Sequence, residues 1–95
     1  MDPKEVAIRI VSAVVYRDPK IGDYVAVVRT DRGMKIEARK NETSQMALSS
    51  AIKGIFAQIN GGITPETASE AVKLLEDIGR VVDLSIPNEI ISLPV

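Results

Sequence analysis

Residues 6–16 (VAIRIVSAVVY) form a run in which both alternate sets of side chains are almost entirely aliphatic. The β-branched residues of this run predict a β-strand, and Arg9 and Ser12 are its main interruptions. A strand that is apolar on both faces is typical of the middle of a sheet, because both of its faces must be covered. We therefore expect residues 6–16 to form a central strand with a neighbouring strand on each side.

Two further strands are predicted directly after this one. Pro19 and Gly22 mark a turn before residues 23–30, and the sequence DRG at 31–33 marks a hairpin turn before residues 34–40. The third segment alternates strictly between apolar and charged residues, which is typical of an edge strand. A meander in the order 3-2-1 leaves one side of the first strand unpaired. The C-terminal stretch must then supply a fourth strand, from residues 81–86 or from residues 90–95.

The first of two predicted helices begins with Thr43 or Ser44 as its N-cap and continues to Ile59. Its large aliphatic and aromatic residues lie on one face, namely Leu48, Ile52, Ile55, Phe56 and Ile59. Its opposite face is made of small residues, which we expect to form an interface with a second surface: Ala47, Ser50, Gly54 and Ala57.

The second predicted helix has Thr64 as its N-cap, Pro65 at its first position and Glu66 in its first turn, and we expect Gly79 to end it. The fold class is therefore α+β, a single domain over residues 1–95 with the order β-β-β-α-α-β. Two helices cannot readily cover both faces of such a sheet. We therefore expect a homo-oligomer, a homodimer above all, or a protein partner to bury the remaining apolar face.

The chain contains no cysteine and no histidine. Their absence excludes disulfides, thiolate zinc sites, cysteine nucleophiles and imidazole acid–base catalysis, and it removes most transition-metal chemistry. We find no metal-ligand cluster, glycine-rich phosphate loop or nucleophile motif, and we predict no cofactor, metal site or catalytic residue. The composition favours a non-enzymatic binding or assembly protein over an enzyme.

The net charge of −1 hides an uneven distribution along the chain. Residues 1–40 hold nine basic and six acidic residues, for a net +3, whereas residues 41–95 hold three basic and seven acidic residues, for a net −4. The alternative function is therefore a nucleic-acid-binding accessory protein whose basic hairpin surface contacts phosphates. The residues assigned to that surface are Arg17, Lys20, Arg29, Arg32, Lys35, Arg39 and Lys40. The competing interpretation is that these cations contact the acidic helix of a neighbouring subunit.

Other features of the sequence concern the cellular setting. No apolar run approaches the roughly 18 residues of a membrane span, and the first residues lack a signal-peptide pattern. We therefore expect a cytoplasmic protein that does not enter a membrane. The low content of Asn and Gln, together with the absence of Cys, is consistent with a thermophilic source.

Residues 6–59 resemble the first half of type 1 ribonuclease H. The resemblance rests on the turn at 18–20, on the strand IGDYVAVVR at 21–29, and on the segment NETSQMALSSAI at 41–52. It implies a mixed sheet with a parallel fourth strand beside the first. Catalysis in that family needs clustered carboxylates that hold two magnesium ions, but the matching positions here are Ser12 and Ala47. The resemblance thus implies a shortened, metal-free and catalytically inactive relative, and a carboxylate-dependent hydrolase is the least favoured function.

Overall fold

The computed structural model describes residues 1–20, 22–57 and 61–85. These residues form one four-stranded sheet and three helices. In chain order the elements are α1 (Pro3–Arg9), β1 (Ile10–Arg17), β2 (Tyr24–Thr30), β3 (Lys35–Asn41), α2 (Ser44–Phe56), α3 (Pro65–Asp77) and β4 (Val81–Asp83). The predicted α+β class is confirmed.

The strands lie in the order β3-β2-β1-β4. The antiparallel meander β3-β2-β1 is extended by β4, which pairs in parallel with β1 over Ala13–Val81, Val14–Val82 and Val15–Asp83. The central place of β1 is confirmed, and the fourth strand comes from the first of the two predicted segments. The other segment, residues 90–95, lies outside the described residues.

The prediction was wrong for residues 6–9, which belong to α1 and not to the first strand. Asp2 caps this helix by accepting a hydrogen bond from the Glu5 backbone N–H at 2.9 Å, and Pro3 occupies its first turn. Val6 and Ile10 are one helical turn apart and both are fully buried, whereas Ile8 is exposed. The first part of the aliphatic run, up to Ile10, therefore has the period of a helix, and the rest has the alternation of a strand.

The two later helices begin at their predicted caps. The Thr43 hydroxyl accepts the Met46 N–H, and the Thr64 hydroxyl accepts the Thr67 N–H, each at 3.1 Å. Helix α2 ends at Phe56, and the predicted end at Ile59 lies outside the described residues. After α3 the chain passes through Gly79 with φ +72°, a conformation that favours glycine and that ends the helix as predicted.

The core lies on one face of the sheet. Helix α2 packs on β2 and β3, and α3 packs against α2 and α1, so the helices form a layer on that side. The sheet contributes mainly small and β-branched residues to this core, and α2 contributes its largest side chain, Phe56. Ala51 and Ala71 are fully buried in the same cluster. The opposite face of the sheet has no helix over it within the described residues.

Candidate functional site

The open face of the sheet, opposite the helices, carries a central row of aliphatic side chains. The strand register aligns Val82, Val14 and Val27 across β4, β1 and β2, with Glu37 of β3 at the end of the row. Val14 and Val27 are only partly buried, and Val82 is 49% exposed. The sheet therefore presents apolar surface to solvent where a second layer would ordinarily pack.

One end of the open face is closed by polar side chains that span β2. The Tyr16 hydroxyl of β1 donates to Glu37 of β3 at 3.5 Å, and Glu37 also forms an ion pair with Arg39. Because β2 lies between these two strands, the bridge passes over it. Val25, on the open face of β2, is fully buried although it is not part of the main core. The apolar surface that stays accessible therefore lies away from this end, at Val14, Val27 and Val82.

Exposed aliphatic side chains concentrate beside β4. Among the described residues, six large hydrophobic side chains are about half or more exposed: Ile8, Val11, Met46, Ile78, Val82 and Leu84. All of them except Met46 lie in α1, at the start of β1, just after α3, or in and just after β4. The other edge strand, β3, alternates charged side chains on the open face and is thereby protected against association. Among the described residues, the β4 side of the sheet instead exposes aliphatic side chains.

The seven cations assigned to a nucleic-acid surface do not form one surface. Antiparallel pairing places Arg17, Lys20, Arg39 and Lys40 at the end of the sheet where β1 ends and β3 ends. It places Arg29, Arg32 and Lys35 at the β2–β3 turn, at the opposite end. The two groups are separated by most of a strand, which is about 20 Å for seven residues. A single phosphate-binding surface would therefore contain only one of the two groups of cations.

Two of the four cations in the first group, Arg17 and Arg39, make contacts within the protein. Arg39 forms ion pairs with Asp18 and Glu37, and the Arg17 guanidinium donates to the Gly22 carbonyl at 2.9 Å. Arg17 also lies over the Tyr24 ring, 5.7 Å from its centre. The ion pairs offset the charge of Arg39, whereas Lys20 and Lys40 are exposed and have no acidic partner within 4 Å among the described residues.

The second group consists of exposed and unpaired cations. Arg29 and Lys35 are aligned neighbours on β2 and β3, and Arg32 lies in the turn that joins these strands. Among the described residues, no acidic side chain lies within 4 Å of any of the three charges. This end of the sheet is the best candidate for binding an anion.

The small residues of α2 do not present one common surface. Ala47 is fully buried within the chain, whereas Ser50 and Ala57 are exposed, and the Ser50 hydroxyl donates to Asn41 at 3.2 Å. Gly54 faces β3: a Cβ placed there would lie 2.5 Å from Cδ1 of Ile36. The part of the predicted interface formed by Ala47 and Gly54 is therefore used for packing inside the domain.

The described residues contain no group of three or more Asp or Glu side chains that could jointly hold a metal ion. Ser12 of β1 pairs with Arg29, and Ala47 is fully buried in the core. Neither side chain carries a carboxylate that could bind magnesium. No helix within residues 1–20, 22–57 and 61–85 is long and apolar enough to cross a membrane.

Comparison with known proteins gives no relative for this chain: no family model, no curated protein and no solved structure matches it. The resemblance to type 1 ribonuclease H therefore stays a prediction. Function must be inferred from the surfaces of the domain itself.

Proposed function

We propose that this protein is a non-enzymatic assembly module that associates with a second copy of itself through the open face of the sheet. The observation that carries the proposal is the accessible row of Val14, Val27 and Val82, which lies on the side of the sheet that none of the described helices covers. Burial of such a row removes apolar surface from water and so favours association, and the affinity is what remains after the entropic cost of bringing two chains together. A catalytic role has no comparable support.

The composition of this row favours a second copy as the occupant. The row is aliphatic from Val82 through Val14 to Val27, so a two-fold axis along the strands can place it on the same row of another chain without burying a charge. The charged side chains of β3 then lie at the rim of the contact.

The area of the face sets the expected strength of the dimer. Strands about 4.8 Å apart, three of them about 20 Å long and the three-residue β4 about 10 Å long, give the face a footprint on the order of 300 Å². A standard interface buries about 800 Å² on each partner. The open face thus supports a weak dimer, with a dissociation constant on the order of micromolar or above.

Sedimentation velocity over a concentration series tests this proposal with two matched variants. Val82 and Met46 are each 49% exposed, but Val82 lies on the open face and Met46 lies in the first turn of α2. We expect the unmodified protein and Met46→Glu to dimerise alike. Val82→Glu should raise the dissociation constant at least about tenfold, because dimerisation would desolvate the new carboxylate.

Two results contradict the proposal. One is a protein that stays monomeric throughout the series, and the other is equal dimerisation of Val82→Glu and Met46→Glu. Thermal unfolding of both variants serves as the control, since both positions are accessible in the single chain and neither substitution should unfold it.

The second candidate function is nucleic-acid binding at the β2–β3 turn. The specific observation is that Arg29, Arg32 and Lys35 are exposed and have no ion-pair partner among the described residues. The part of the chain that the structure describes places no recognition helix or aromatic platform beside them, and Tyr16 and Tyr24 are partly buried. Binding of this kind would be electrostatic and would show little sequence preference.

Fluorescence anisotropy with a labelled duplex, measured at several salt concentrations, tests this second candidate. We expect Arg32→Gln/Lys35→Gln to lower the dependence of binding on salt by about two counterions, since each neutralised contact removes about one. The matched control is Lys20→Gln/Lys40→Gln, which removes the same charge at the other end of the sheet. Equal effects of the two double variants, or no binding at low salt, would exclude a phosphate site at this turn.

A further inference from the structure

A groove runs along the outer side of the molecule between α1 and α3. Two adjoining cavities of about 480 and 460 Å³ make up this groove, and they share Lys4 and Leu74. The second cavity is also lined by Ala7, Ile8 and Ile78. Ile8 is 74% exposed and Ile78 is 60% exposed, so the groove presents accessible aliphatic surface on both helices. Cavities of this size are within the range that bind ligands, about 300–1,000 Å³.

The charges around this groove are unequal along its length. Asp2 and Glu70 line the cavity beside the start of α1, together with Lys4 and Lys73. The backbone N–H of Glu5 donates to Asp2 and lowers the pKa of that carboxyl, so Asp2 stays ionised as the helix cap. Both acidic side chains that line the groove, Asp2 and Glu70, lie at this end.

The other end of the groove is purely cationic. Lys4 and Arg80 line the cavity that contains Ile8 and Ile78, and no acidic residue lines it. Neither cation has an acidic partner within 4 Å among the described residues. Arg80 donates one N–H to the Ile10 carbonyl at 3.0 Å, which fixes the guanidinium near the groove and leaves further donors for a ligand.

We propose that this groove binds an acidic amphipathic helix of a partner protein. Its apolar face would cover Ile8, Leu74 and Ile78, and its carboxylates would contact Lys4 and Arg80. Most residues that line the groove belong to α1 and α3, whose backbone groups are largely hydrogen-bonded within each helix and offer no strand edge to an extended peptide. A helix satisfies its own backbone and can pack as a third helix beside α1 and α3.

This inference does not depend on the proposed self-association. The groove lies between helices, whereas the dimer is assigned to the opposite face of the sheet. Ile8→Glu should therefore leave sedimentation unchanged. Loss of the dimer in Ile8→Glu would contradict the proposal, because the groove would then be an interface between copies of this chain.

An NMR titration of the ¹⁵N-labelled full chain tests the inference with two synthetic helical peptides. Both carry leucines spaced as i, i+4 and i+7, and they differ only in having glutamate or lysine on the flanking positions. We expect the glutamate peptide to shift the amide signals of Ile8, Leu74 and Ile78, to bind at least about tenfold tighter than the lysine peptide, and to weaken as salt is added.

Variants then separate the apolar and charged contributions to binding. Ile8→Glu should weaken binding of the glutamate peptide at least about tenfold, and Met46→Glu, an exposed control outside the groove, should not change it. Lys4→Glu should reduce the preference for the glutamate peptide. Equal binding of the two peptides, or shifts confined to other surfaces, would overturn the proposal.

Discussion

Replacing Phe56 with alanine is expected to lower the free energy of unfolding by about 3–5 kcal/mol. Phe56 is fully buried and has the largest side chain among the buried residues of the described chain. It is also the only phenylalanine in the sequence. A domain of 95 residues has a total stability of about 5–14 kcal/mol, so this one substitution should remove a large share of it.

Urea denaturation followed by circular dichroism measures this loss. Phe56→Leu is the matched control, because it keeps most of the apolar volume and should cost less than Phe56→Ala. A loss below about 1 kcal/mol for Phe56→Ala would mean that the surrounding side chains collapse into the space or that Phe56 does not fill the core. The measurement thereby tests whether the core lies between the helices and one face of the sheet, which leaves the other face open.

The sheet could be predicted because its pattern is local and periodic. The two-sided apolar character of residues 6–16 predicted a strand with a neighbour on each side, and β4 supplies the second neighbour of β1. Helix α1 was missed because the run from Val6 to Ile10 fits a helical period and a strand period equally well. The signal that distinguishes them was present: Asp2-Pro3-Lys4-Glu5 repeats the cap, proline and early acid found at Thr64-Pro65-Glu66.

The candidate sites were less predictable, because they depend on pairing and packing. The register of the strands decides which charges lie together. It separates Arg29, Arg32 and Lys35 from the other cations, and it brings Arg39 to Asp18. The groove between α1 and α3 exists only because α1 is a helix. Long-range contacts of this kind leave no periodic signal in the sequence.

Gly54 provides a second stringent test, at a contact between α2 and Ile36 of β3. A Cβ at this position would lie 2.5 Å from Cδ1 of Ile36 and 3.7 Å from its Cγ1. Gly54→Leu should therefore overpack the contact and lower the free energy of unfolding by about 1–3 kcal/mol. Thermal and urea unfolding of this variant measure the cost, and unchanged stability would mean that α2 is not held closely against β3.

A double-mutant cycle locates the source of that cost. Gly54→Ala removes the helix penalty of glycine, worth about 1 kcal/mol, but its methyl group meets the Ile36 side chain, which must move at a cost of about 0.5–1.5 kcal/mol. The single variant should thus be nearly neutral. Ile36→Val deletes the Cδ1 atom that causes the clash, so Gly54→Ala should stabilise the Ile36→Val protein by about 1 kcal/mol. Additive effects of the two substitutions would show that Gly54 and Ile36 do not meet, because a shared contact requires the gain from alanine to depend on the Cδ1 atom of Ile36.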